Sequence, residues 1–79
     1  MRIDKYLKTA RLIKRRTIAK EACEQGKVSI NGKIAKAGDD VKTGDHIHIA
    51  FGSGAIDIEV LDIKDHVSKD GASELYKNI

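Results

Sequence analysis

The sequence predicts an α+β domain in which two N-terminal helices pack on a small, twisted, antiparallel sheet, with a short helix near the C-terminus. Three observations carry this expectation. Apolar residues recur at helical spacing as far as Gln25, the pattern changes to alternation after Gly26, and Asn31-Gly32 separates two short alternating runs as a hairpin turn would.

Ile3, Leu7 and Ala10 fall at i, i+4 and i+7, so a first helix is expected from Ile3 to Leu12, with Asp4 in the first turn, where an acid is favoured. Lys5, Lys8 and Arg11 lie off that stripe and should face outward. A basic cluster, Lys14-Arg15-Arg16, interrupts the pattern. Thr17 is then the expected N-cap of a second helix running to about Gln25, with Ile18, Ala19, Ala22 and Cys23 inward and Gly26 as its left-handed stop. Cys23 reads as a small core residue. Val28 and Ile30 before the turn, and Lys33-Ile34-Ala35 after it, form the first hairpin. Ile47, Ile49 and Phe51 alternate with His46, His48 and Ala50, and after Gly52-Ser53-Gly54 the residues Ile56, Ile58 and Val60 alternate with Asp57 and Glu59, giving half-buried antiparallel strands. Ala37-Gly38-Asp39-Asp40 and Thr43-Gly44-Asp45 read as loops. The stretch from Lys64 to Gly71 is polar, and Ala72 to Ile79 is expected to close as a short helix docking Leu75, Tyr76 and Ile79.

With 79 residues, 41% apolar and 34% charged, the chain suits one domain with one core and is too apolar for wholesale disorder. No apolar run approaches the roughly 20 residues of a membrane-spanning helix, so no membrane partner is expected and the expected compartment is the cytoplasm. One cysteine allows neither an internal disulfide nor a zinc-finger or haem-attachment spacing. His46 and His48 share a strand face, but two such ligands make a poor metal site and are expected as surface histidines. No nucleophile and base pairing, phosphate-cradling glycine loop or catalytic carboxylate pair emerges, so neither enzymatic activity nor a cofactor is expected.

The formal charge of +3 conceals a separation of sign. Residues 1–38 hold eleven bases and three acids, a balance of +8, whereas residues 39–79 hold four bases and nine acids, a balance of −5. Solubility needs no such segregation, and a basic half with interspersed apolar residues is the footprint of a polyanion binder. A helix-turn-helix DNA regulator is one candidate. Its second helix would expose Glu21 and Glu24 to a phosphate-lined groove, which is unfavourable, and no dimer seam is visible. Aromatics make up 4% of the chain, too few to stack splayed bases, so folded RNA recognised through its backbone is the better match.

The run from Arg16-Thr17 through Gly26-Lys27-Val28-Ser29-Ile30-Asn31-Gly32-Lys33 resembles the signature of S4-type RNA-binding domains, in which Arg and a small hydroxyl residue open a helix and Gly-x-Val-x-Ile-Asn-Gly follows. Met1-Arg2-Ile3-Asp4-Lys5-Tyr6-Leu7 is similar to that family's first helix, and the two motifs together cover about half the chain. The resemblance implies an S4-type fold, with the domain expected over residues 1–63 and a polar extension over 64–79. Through Arg11-Leu12-Ile13-Lys14-Arg15-Arg16-Thr17 the chain further resembles free-standing RqcP-like factors of bacterial ribosome-associated quality control, relatives of the S4-domain heat-shock protein of free large ribosomal subunits. That likeness implies binding to large-subunit rRNA and to peptidyl-tRNA, in support of C-terminal alanine tailing by an RqcH-type partner. It implies that Arg2 and Arg16 contact RNA, with Asp4 and Lys5 beside them in the helix-opening motif. Two departures stand out: Lys14-Arg15 replaces the Ser that many S4 domains carry before the arginine, and Ala22-Cys23 replaces larger apolar residues. A general S4-type chaperone of ribosomal or transfer RNA is the alternative within the same class.

Residue chemistry agrees with those assignments. Arginine offers a planar fork for phosphate oxygens, so Arg2, Arg11, Arg15 and Arg16 are the expected positioning contacts. Lys5, Lys8, Lys14, Lys20, Lys27 and Lys33 would supply a broader attractive field, and Thr17 belongs to the helix-opening motif. Asp4 is expected to favour the helix N-terminus or to pair with Lys8 at i+4. A monomer is expected.

Overall fold

The computed structural model describes residues 1–79 and is α+β. Two helices, α1 (Ile3–Thr9) and α2 (Arg16–Glu24), precede strands β1 (Val28–Ile30), β2 (Lys33–Ile34), β3 (His46–Phe51) and β4 (Gly54–Val60); a 3₁₀ turn (Ala72–Glu74) leads into β5 (Tyr76–Asn78). All five strands pair antiparallel in the order β2-β1-β3-β4-β5.

The alternation fixes the register. Val28 and Ile30 stand opposite Ile49 and Ile47, which stand opposite Ile56 and Ile58, so one face of the sheet is a continuous aliphatic layer. Ile3, Tyr6 and Leu7 of α1 and Ala19 and Cys23 of α2 bury against that layer. The small residues of α2 keep it close, and burial pushes the Cys23 thiol up to about 11, helped by the charges of Asp4, Asp39 and Glu24, so it stays protonated as core. The hairpin turn has Asn31 and Gly32 both at positive φ (52° and 85°), the backbone that Asn-Gly supplies cheaply.

Both helices end in the same hydrogen-bonded motif. In α2, Gly26 at φ 74° lets Lys27 N–H donate to Ala22 C=O (2.9 Å) and Gly26 N–H to Cys23 C=O (3.0 Å). In α1 the equivalent left-handed position is Arg11, at φ 58°, with Leu12 N–H on Leu7 C=O and Arg11 N–H on Lys8 C=O, both at 3.0 Å. A Cβ at that position costs about 1 kcal/mol.

Four expectations need correction. The first helix stops at Thr9 instead of Leu12, because the chain turns through Arg11. Thr17 does not cap α2: Arg15 is the extended N-cap residue, its carbonyl accepts Ala19 N–H at 3.0 Å, and Thr17 lies in the first turn. Ile18 and Phe51 are exposed instead of core, since Ala19 and Cys23 take the inward face; with Leu12 they line a shallow apolar groove. The C-terminal helix is a single 3₁₀ turn, after which Tyr76–Asn78 joins the sheet beside β4; Leu75 is buried, and Ile79 is exposed. Strand edges with unpaired N–H and C=O groups draw in such a segment. Tyr6 ties the two ends together: its hydroxyl donates to Leu75 C=O at 2.7 Å, and burial, with Tyr76 and Asp62 nearby, holds the phenol well above its ordinary range. No helix is long and apolar enough to cross a membrane.

Candidate nucleic-acid interface

The N-terminus of α1 is built around a buried carboxylate. The chain enters beside the loop of Ala37 to Asp40, where Ile3 N–H donates to Asp39 C=O (2.8 Å), Asp4 N–H to Ala37 C=O (3.3 Å) and Val41 N–H to Met1 C=O (2.8 Å). That docking covers Asp4, whose side chain is only 3% exposed. Arg2 grips it with a two-pronged fork, Nε to Oδ1 and Nη2 to Oδ2, both at 3.2 Å. Lys5 backbone N–H also donates to Oδ1 (2.7 Å), and Arg16 Nη2 reaches the same oxygen from the first residue of α2 (3.5 Å).

Burial of a carboxylate without partners would be severe, and two guanidinium groups offset it. The balance favours the cations: one negative charge serves two positive ones. Arg2 and Arg16 keep 52% and 47% of their side-chain surface exposed, leaving guanidinium donors turned to solvent. Asp4 thereby fixes two arginines that lie fourteen residues apart in sequence so that they stand side by side. The expected pairing of Asp4 with Lys8 does not form, because the carboxylate faces the start of α2, while Lys8 lies one turn further along α1.

The other anticipated residues divide into groups. Lys5 is half-buried and pairs through Nζ with Asp65 Oδ1 at 3.0 Å, a hydrogen bond that holds the Asp65 carboxyl below its usual range. Lys8, Arg11 and Lys14 come together around a cavity of about 330 Å³ at the far end of α1. Arg15 and Thr17 are exposed at the start of α2, and Lys20 reaches Glu24 at 4.0 Å. Lys33 lies exposed on the edge strand β2, apart from both groupings. His66 and Lys69 also line the cavity and were not anticipated, since a contact across more than fifty positions leaves no local pattern.

The opposite face of the sheet is organised differently. His46 Nε2 and His48 Nδ1 lie 3.0 and 2.9 Å from the same Asp57 oxygen, and these bonds lower the Asp57 carboxyl below its usual range. The histidines are thus half-exposed surface residues sharing an acid.

Comparison with known proteins identifies the family. The family description "S4 domain" matches residues 1–47, which include α1, α2 and the first hairpin. The RQC P-site tRNA stabilizing factor of Halalkalibacterium halodurans is 53% identical over 77 residues, covering 98% of this chain and 88% of that protein. The Bacillus subtilis protein of the same name is 50% identical over 76 residues, covering 96% and 88%. Among solved structures, trimeric heat shock protein 15 of Vibrio cholerae superposes with a TM-score of 0.93 at 34% identity, covering 100% of this chain and 81% of that one.

Proposed function

The chain belongs to the S4-domain family, alongside the RQC P-site tRNA stabilizing factors, and from that premise we propose that it is an RNA-binding accessory factor of bacterial ribosome-associated quality control. It binds large-subunit rRNA and peptidyl-tRNA, holds the tRNA in place and so supports C-terminal alanine tailing of stalled nascent chains by an RqcH-type partner. It acts in the cytoplasm, as a single copy, and catalyses no step itself.

The observation that carries the reading is the Arg2–Asp4–Arg16 cluster, in which a buried carboxylate presents two half-exposed guanidinium groups on one side of the domain. Such groups suit phosphate oxygens, which position a protein on RNA without reading sequence. Arg2 and Arg16 make the principal contacts, with Asp4 as a positioning residue. Lys8, Arg11, Lys14, Arg15 and Lys20 extend the attractive field along both helices, with Lys33 at the sheet edge and Thr17 beside Arg16. Lys5, engaged with Asp65, contributes through charge. Co-sedimentation with large ribosomal subunits tests this: Arg16→Ala should shift the protein from the pellet to the supernatant as salt rises, at lower salt than the unaltered chain. Unchanged sedimentation would remove the site assignment, and a preference for duplex DNA over folded RNA in a mobility-shift comparison would remove the class.

A further inference from the structure

The cavity at the far end of α1 has the chemistry of an anion site. Lys8 comes from the last turn of the helix, Arg11 and Lys14 from the bend that follows, and Lys69, with His66, from the segment before the 3₁₀ turn. None of these five side chains forms an ion pair with a carboxylate. Asp65 is the single acid of the wall, and it is engaged by Lys5 at 3.0 Å. Only Val67 is apolar, so the space of about 330 Å³ does not suit an apolar ligand.

Cations drawn from separate segments around one concavity repel each other, and a cleft lined by one sign of charge concentrates the opposite sign. The wall is also held in place. Lys5 anchors it at Asp65; Gly71 N–H donates to both Ser68 Oγ (3.2 Å) and Ser68 C=O (3.1 Å), and Ala72 N–H to Ser68 C=O (3.1 Å). Arg11 sits in the left-handed region, where glycine would be unstrained, at a helix end whose counterpart in α2 is Gly26. A strained backbone under a side chain that lines a charged cavity points to a use for that side chain.

We propose that this cavity binds a phosphate group of the RNA chain, so that the segment from Asp65 to Lys69 forms part of the RNA-binding surface. The inference rests on the RNA-binding reading above and adds a second contact. From Asp4 to Lys8, both within α1, the helix rises about 6 Å at 1.5 Å per residue, and Arg11 and Lys14 lie beyond its end, so the cavity and the Arg2–Arg16 cluster would hold different phosphates of one RNA.

The test uses the full chain, a tRNA transcript and inorganic pyrophosphate. By fluorescence anisotropy across a salt series, Lys69→Ala should weaken tRNA binding about threefold to tenfold and reduce the slope of log K against log salt by about one. In amide NMR spectra, tRNA and pyrophosphate should both shift residues 65–71. Arg11→Gly should raise the unfolding midpoint while weakening tRNA binding, a combination that damage to the fold would not produce. If Lys69→Ala binds tRNA normally while Arg16→Ala does not, the cavity proposal is overturned and the functional reading stands. If neither substitution weakens binding, both are overturned. If pyrophosphate shifts residues 65–71 and tRNA does not, the site belongs to a free phosphate compound and the RNA assignment is overturned.

Discussion

On the outer face of the sheet, the His46 and His48 rings share hydrogen bonds with the Asp57 carboxylate and Lys77 stands 3.9 Å from Glu59, so each acid finds its partners on neighbouring strands. At the start of the helices a single carboxylate, Asp4, serves both Arg2 and Arg16, and at the far end of α1 the cations Lys8, Arg11, Lys14 and Lys69 have no acid of their own. Both regions are rich in hydrogen bonds. They differ in the remainder: the first closes on itself, and the second keeps donors and positive charge for something outside the protein. In this molecule the sum of charge says little, and the distribution of unmatched charge marks the interface.

Replacing both Arg2 and Arg16 by Ala should produce the largest change. If each guanidinium contributes a charge-assisted contact of about 1.5 kcal/mol, tRNA affinity falls by about a hundredfold at low salt and the salt slope falls by about two, as anisotropy titrations would read. A smaller effect is expected of Asp4→Ala, on stability as well as on binding. Removing the buried acceptor of Arg2, Arg16 and Lys5 N–H should lower stability by about 2 kcal/mol, measurable as an earlier urea midpoint with unchanged slope.

On the outer face of the sheet, Asp57→Asn should leave tRNA binding unaltered and lower stability slightly above about pH 4, a difference that closes in acid. Because the folded protein holds the Asp57 carboxyl below its usual value, its contribution is complete above about pH 4 and is lost as pH falls through the lowered value. Thermal melts from pH 6 to pH 2 should therefore be slightly flatter for the variant. The smallest response is expected at Cys23: with its thiol buried and raised to about 11, iodoacetamide at pH 8 should fail to modify the native protein and should modify it in urea.

Much of the fold is legible in the sequence, because it rests on local periodicity. The Asn31-Gly32 turn, the alternation from His46 to Val60 and the stop at Gly26 each need only a few neighbouring residues to be read. What is not legible depends on distant contact. Nothing near Asp4 shows that the loop of Ala37 to Asp40 will cover it or that Arg16 will turn toward it, so its carboxylate reads as an ordinary first-turn acid. Tyr6 likewise finds its partner at Leu75, and Lys69 completes a cavity begun by Lys8. Ile18 misleads for a different reason: a helical stripe made of Ile18, Ala19, Ala22 and Cys23 can turn to bury Ala19 and Cys23 and leave its largest member at the edge. Charge segregation, by contrast, survives folding well enough to identify which half of the chain carries the candidate interface.

The central claim is that Asp4 acts by positioning arginines, and tRNA affinity of Asp4→Asn against salt tests it most directly. The substitution raises the net charge by one, so an account based on charge alone expects tighter binding. Positioning predicts the reverse: affinity falls severalfold, while the salt slope stays close to that of the unaltered protein because Arg2 and Arg16 remain charged. Equal or tighter binding by a correctly folded Asp4→Asn would contradict the account.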